Sequence, residues 1–167
     1  MPGIVVLPGE GRSVRLGGLG VIFKLLSENT GGSFAVVEHP LEPGTLAAPP
    51  HRHQNEDEAS YVLEGNITIE IDDQVIHAGP GTLVFKPRGL FHTFWNDSNE
   101  RARVLEIISP AGFEKYFEEV AALAASGSPP DDPRRRDLSE KYHIEFDRSR
   151  VMEIAQKYNL ILPSTPR

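Results

Sequence analysis

Cysteine is absent from the 167 residues, which excludes disulfides, a thiolate nucleophile and a sulfur-ligated metal. Long apolar runs are missing too. No stretch approaches the roughly 18 residues that a membrane-spanning helix needs. Positive charge is scarce: 17 Lys and Arg stand against 24 Asp and Glu, a net charge of -7. So acidic a chain lacks the clustered Lys and Arg that bind nucleic-acid phosphates. The one basic run, Arg134-Arg135-Arg136, sits beside Asp131, Asp132 and Asp137 and reads as a solvated linker. The start, Met1 to Pro8, carries no positive charge ahead of its short apolar stretch, and Pro8 interrupts it, unlike a secretory signal. The expectation is a cytoplasmic protein with neither nucleic acid nor membrane as partner.

What the chain does contain, from about residue 12 to residue 110, is short β-rich stretches punctuated by turn chemistry. Val21 to Leu26, Ser33 to Val37 and Ala59 to Leu63 are examples, separated by Gly17-Gly18, Asn29 to Gly32 and Pro43-Gly44. Ile67-Thr68-Ile69-Glu70-Ile71 alternates apolar and polar throughout, the signature of a strand with two unlike faces. About ten such strands with no helical period between them predict an antiparallel sandwich or barrel, an architecture that also disposes of exposed strand edges. After Pro110 the period changes. Phe113, Tyr116, Phe117, Val120 and Leu123 fall at helical spacing and predict an amphipathic helix over 113–125. Ser126-Gly127-Ser128-Pro129-Pro130 ends it as a linker. A second helix is expected after Asp147 or Ser149, with Val151, Ile154, Ala155 and Tyr158 on one face. The division is thus a β domain over 1–110 and a helical segment over 111–167, packed on the β domain or on a partner subunit. A homodimer is expected from the apolar strand faces and the segment before the first strands.

The residues that carry chemistry lie in the β region. In His51-Arg52-His53 the two imidazoles share a strand face, because side chains alternate with a period of two. Glu58 opens the next strand, with Ser60 and Val62 on its face, and His92 comes from a later strand. Three imidazoles and one carboxylate suit a divalent ion such as Fe, Mn, Ni, Co, Cu or Zn. Glu56, Asp57 and Glu58 are consecutive acids, any of which can reach an ion by composition alone. His39, His77 and His143 read as packed or surface histidines.

These residues fall into two spaced patterns. Gly44-x6-His51-x-His53-x4-Glu58-x6-Gly65 resembles the first motif of the cupin superfamily, with one extra residue in its Pro-rich loop. Gly81-x5-Pro87-x-Gly89-x2-His92-x3-Asn96 resembles the second at every fixed position. The resemblance covers roughly residues 30–110 and implies a mainly β fold, an antiparallel double-sheet jelly-roll barrel with a C-terminal helical extension. It also implies metal ligation by His51, His53, Glu58 and His92, Glu58 being the acid that keeps the family spacing. Glu56 and Asp57 are then solvated turn residues, and Asn96 a turn residue rather than a ligand. Gly65, Gly79, Gly81 and Gly89 are placed where tight turns need positive φ.

Among cupins the chain is similar to the bacterial single-domain quercetin-2,3-dioxygenase-like group, on its full ligand set and the helix Ala111 to Phe117. That implies an oxidoreductase, a metal-dependent dioxygenase of a small aromatic or enolisable, flavonol-like substrate, with Glu58 as the catalytic base. Val62, Ile67, Ile69, Ile71, Phe94, Phe23 and Leu25 are the expected apolar core or pocket wall. The alternatives are a non-catalytic cupin that binds metal or a small ligand, and a metal-dependent isomerase or lyase. A ligand-sensing transcription factor is not expected, as no DNA-binding domain is visible.

Overall fold

The computed structural model describes residues 3–129 and 131–162, so Pro130 of the linker and the residues at both ends lie outside it. Along the chain run β1 (Ser13–Leu16), β2 (Leu19–Leu25), α1 (Ser27–Thr30), β3 (Ala35–Leu41), β4 (Thr45–Leu46), β5 (His51–His53), β6 (Asp57–Glu64) and β7 (Ile67–Ile71). They are followed by β8 (Gln74–Ala78), β9 (Leu83–Lys86), β10 (His92–Asn96), β11 (Ala102–Ser109), α2 (Glu114–Ala125), α3 (Pro133–Lys141), β12 (Ile144–Phe146) and α4 (Val151–Tyr158). One sheet has the order β1-β2-β3-β11-β6-β9 and the other β12-β5-β10-β7-β8, with β4 also on β10; all these pairs are antiparallel. The architecture is the expected double-sheet jelly roll, two open sheets rather than one closed barrel.

The period-two pattern decides which side chains enter the space between the sheets. On β11, Ala102, Val104, Glu106 and Ile108 point inward, and on β6 Glu58, Ser60 and Val62 do. Leu41, Val62, Ile67, Ile69, Phe94 and Val104 fuse into one apolar cluster between the layers. Burying each such side chain contributes on the order of 1.5–3 kcal/mol. Gly65 is needed where it stands: its φ is 69°, and a Cβ there would lie 2.4 Å from the Arg101 carbonyl. Gly81 and Gly89 share the positive φ, whereas Gly79 does not.

The tail departs from its sequence reading in three ways. Arg134-Arg135-Arg136 is not a linker but the first turn of α3, which Asp132 caps by accepting from the Arg134 N–H at 2.9 Å, with Pro133 in the first turn. No α3 residue is buried, so no apolar stripe announced the helix. Ile144–Phe146 forms a strand, β12, which pairs with β5 in the register Ile144↔His53 and Phe146↔His51. Three residues are too few for a periodic signal. The N-cap of α4 is Arg150, one residue beyond the expected limit, but its apolar face is the expected one: Ile154 packs with Leu46, Trp95, Val151 and Tyr158. That packing covers the outer side of the second sheet. On β7 even the polar face is therefore buried, with Glu70 held by Arg150 at 2.8 Å.

Candidate metal centre

Two short strands bring the histidines together. His51 on β5 stands directly opposite His92 on β10, and His53 follows on the same face of β5. The ring centroids lie 4.5 Å (His51–His92), 5.2 Å (His51–His53) and 5.5 Å (His53–His92) apart. Glu58 arrives from the facing sheet, with Oε1 3.4 Å from His53 Nε2 and Oε2 3.1 Å from His92 Nε2. One donor atom from each of His51, His53, Glu58 and His92 lies within 4.8 Å of every other, and all four residues are buried. His39, His77 and His143 stay outside the group. His39 is nonetheless buried, its Nδ1 donating to the Gly20 carbonyl at 3.0 Å.

The hydrogen bonds set the tautomers. His51 Nδ1 lies 2.8 Å from the Pro49 carbonyl and His92 Nδ1 lies 3.2 Å from that of Leu90. A carbonyl only accepts, so Nδ1 carries the proton and the Nε2 lone pair faces the group. Burial holds His51 well below its ordinary pKa, helped by His92 and His53, and burial likewise lowers His92. The imidazoles are thus kept neutral, the state in which they ligate metals. Both nitrogens of the buried His53 lack a hydrogen-bond partner among the described residues, a costly condition that a bound cation relieves. The buried group suits a divalent ion in donor type, protonation and spacing.

Two neighbouring acids depart from one another. Asp57 is the solvated turn residue expected, paired with Arg88 at 2.7 Å. Glu56 is not: it is buried, with Oε2 3.6 Å from His53 Nδ1. It therefore stands behind a histidine of the group, close to Nδ1 but beyond hydrogen-bond distance. Asn96 is not a ligand but the buried last residue of β10 rather than part of a turn, its amide donating to the carbonyls of Leu41 and Glu100.

Lys86 and Glu106 were not visible as site residues in the sequence. Both are fully buried, and the Lys86 ammonium donates to Glu58 Oε2 at 2.8 Å and to Glu106 Oε2 at 3.1 Å. Ser60 also donates to Glu106 Oε2, at 2.7 Å. Burial pushes the Glu106 carboxyl up to about 7, aided by the Glu58 charge and opposed by Lys86. Burial would raise Glu58 as well, but the Lys86 ammonium is the largest opposing influence, and Glu58 is held well below the usual carboxylate range. Burial acts to lower Lys86, yet Glu106 and Glu58 keep it raised and charged. The only sequence signal was parity: Lys86 and Glu106 occupy inward positions of their strands.

A cavity of about 700 Å³ opens from His51, Glu58, Lys86 and Glu106. Leu19, Phe94, Phe113, Tyr116, Phe117 and Phe146 form much of its wall. Of the apolar residues expected there, Phe94 lines it; Val62, Ile67, Ile69 and Phe23 pack as core instead. The tail explains this, because α2 and β12 close the open side of the group: Phe113 meets the His53 ring edge-on at 4.3 Å and Phe146 lies 5.7 Å from His51.

Fold and site thus define a two-sheet jelly roll with a buried three-histidine, one-carboxylate group at the floor of an aromatic cavity. Residues 37–108 match the family described as Cupin domain, which supports membership of the cupin superfamily. It is similar to quercetin 2,3-dioxygenase of Bacillus subtilis, with 31% identity over 54% of this chain and 26% of that protein. It is equally similar, at 31% identity over 60% of the chain and 54% of the relative, to the HTH-type transcriptional regulator PuuR of Escherichia coli. The match thus spans about half or less of these curated relatives' lengths. The structure of KdgF from Halomonas sp. superposes with a TM-score of 0.59 at 17% identity, covering 68% of this chain and 99% of that one, a likeness of fold. No described helix is long and apolar enough to cross a membrane.

Proposed function

We propose that this cupin is a metal-dependent dioxygenase acting on a small aromatic or enolisable, flavonol-like substrate. The observation that carries the reading is the buried His51, His53, Glu58, His92 group at the floor of an aromatic cavity of about 700 Å³, a size suited to one small molecule. The similarity to a quercetin 2,3-dioxygenase supports it over the 90 residues matched. In this reading His51, His53, Glu58 and His92 hold one divalent ion, which supplies Lewis-acid and oxygen-binding chemistry when bound. Glu58 is the base: ionised at neutral pH and facing the cavity, it takes the proton of a substrate hydroxyl at a carboxylate oxygen. Phe94, Phe113 and Phe117 clasp an aromatic ring and exclude water from the deprotonated substrate. Residues 1–110 then supply the centre and residues 111–167 its cover. We place the protein in the cytoplasm and read it as a homodimer, for which the exposed Tyr61, Leu83 and Phe85 offer apolar surface on adjacent strands.

Oxygen uptake by the metal-reconstituted protein across a panel of flavonols and diketones tests the reading. Uptake with at least one of them is expected; none, at full metal content, overturns it. A second reading is favoured by one specific observation, the charged Lys86 and Glu106 at the cavity floor, which suit a polar hydroxy or keto acid. A metal-dependent isomerase or lyase of such a substrate would turn over without oxygen, so the same panel extended to sugar and keto acids under anaerobic conditions separates the two.

A further inference from the structure

Two requirements meet at Glu58. It is the one carboxylate in the four-residue group, yet one of its two oxygens is already engaged. Oε2 accepts from the Lys86 ammonium at 2.8 Å, while Oε1 faces His53 Nε2 at 3.4 Å. Lys86 itself is not free to swing away. It is fully buried on β9, directly opposite Glu58 in the β6–β9 register, and its ammonium is held from the other side by Glu106 at 3.1 Å. Glu106 is in turn held by the Ser60 hydroxyl at 2.7 Å. Ser60, Glu106, Lys86 and Glu58 thus form a continuous chain from one sheet to the centre.

A buried ammonium is costly unless its hydrogen bonds are satisfied, and replacing such an ion pair by apolar side chains is often neutral or stabilising. Stability therefore gives little reason for this arrangement. Its geometry supplies another. A carboxylate with both oxygens free can chelate an ion with both, occupying two coordination positions. An oxygen that also accepts from an ammonium is the weaker donor, so a carboxylate held in this way, as Glu58 Oε2 is even though it lies 3.1 Å from His92 Nε2, offers the ion chiefly its other oxygen.

We propose that Lys86 is a positioning residue that restricts Glu58 to one-oxygen ligation and so keeps a coordination position open towards the cavity. The inference rests on the reading that His51, His53, Glu58 and His92 hold a divalent ion. Lys86 and Glu106 line the same cavity as Glu58, so the position kept open faces the space that a substrate would fill. The ammonium also weakens the attraction of the site for a dication. The device trades metal affinity for an accessible ion, the opposite of what a closed structural site requires.

The test compares the wild-type protein with Lys86→Met, which keeps the length and removes the charge. Lys86→Met combined with Glu106→Gln guards against misfolding, as it removes the second carboxylate together with the ammonium and keeps an acceptor for Ser60. Cobalt(II) titration of each protein, followed by its visible absorption, reads affinity and coordination without any substrate. Wild-type protein is expected to bind one cobalt. Lys86→Met is expected to bind it about tenfold more tightly, the scale on which outer partners tune metal sites. Crystal structures of the cobalt forms are expected to show Glu58 bound through one oxygen in the wild type and through both in either folded variant. Unchanged affinity in Lys86→Met, or one-oxygen ligation persisting in the double variant, overturns the role of Lys86 and leaves the metal site standing. Failure of the wild-type protein to bind cobalt overturns the site reading, and this inference with it.

Discussion

The two inner faces of the sandwich solve different problems with different means. The face built on β5 and β10 presents the imidazoles of His51, His53 and His92, on strands of three and five residues. The opposing face, on β6, β9 and β11, presents Glu58, Lys86 and Glu106, a charged set on strands of eight, four and eight residues. On the first face, placement is local for two histidines, two residues apart on β5, and only the third depends on register, pairing directly across from His51. On the second it depends on register, Glu58 against Lys86 and Ser60 against Glu106, residues 28 and 46 positions apart in the chain. One face supplies buried imidazoles that could hold an ion; the other supplies charge that is tolerable only because each member has a partner.

Breaking the first face has the largest expected effect. His51→Ala combined with His53→Ala should abolish metal binding, read by elemental analysis, while circular dichroism still reports a β fold; full metal content in that variant would refute the ligand assignment. Breaking the second face is a matter of stability. Glu106→Ala leaves the Lys86 ammonium one partner short in a buried site, and urea denaturation should show a loss of about 3–4 kcal/mol. A loss below about 1 kcal/mol would mean that water reaches the cluster.

A third perturbation uses pH to sharpen the contrast. Burial lowers the His39 pKa to about 4, so the native ring stays neutral where the unfolded one takes a proton. Stability from this residue is constant above the ordinary histidine pKa and falls as pH drops from about 6.5 towards 4, by up to about 3 kcal/mol. His39→Gln should flatten that part of the stability–pH curve, measured by denaturation at successive pH values; an unchanged slope would place the acid sensitivity elsewhere. The smallest effect belongs to the exposed Asp57–Arg88 pair just outside the centre. Asp57→Asn should leave metal content and melting temperature essentially unchanged, because solvent screens such pairs. A loss of metal there would show that Asp57 supports the site.

The residues differ in how legible they were. Strand alternation and turn glycines were enough for an antiparallel sandwich or barrel and the cupin resemblance for its jelly-roll form, while two spaced motifs were enough to single out His51, His53, Glu58 and His92, which the fold brings together. Glu56 was misread as solvated because its burial comes from the way the chain folds back beside His53, which no local pattern encodes. The helix α3 escaped notice because it buries nothing, and β12 because it is three residues long. Lys86 looked like any strand lysine until the register set it opposite Glu58.

By itself the sequence determined the period-two strands, the inward parity of the histidines and the amphipathic faces of α2 and α4. All of these follow from spacing along one segment, and spacing is written in the chain. Only the tertiary structure decided that Lys86 and Glu106 meet at Glu58, that Glu56 stands behind His53, and that the tail closes the cavity with Phe113 and Phe146. Those contacts join residues far apart in sequence, and they exist because antiparallel register and sheet-on-sheet packing bring the segments face to face.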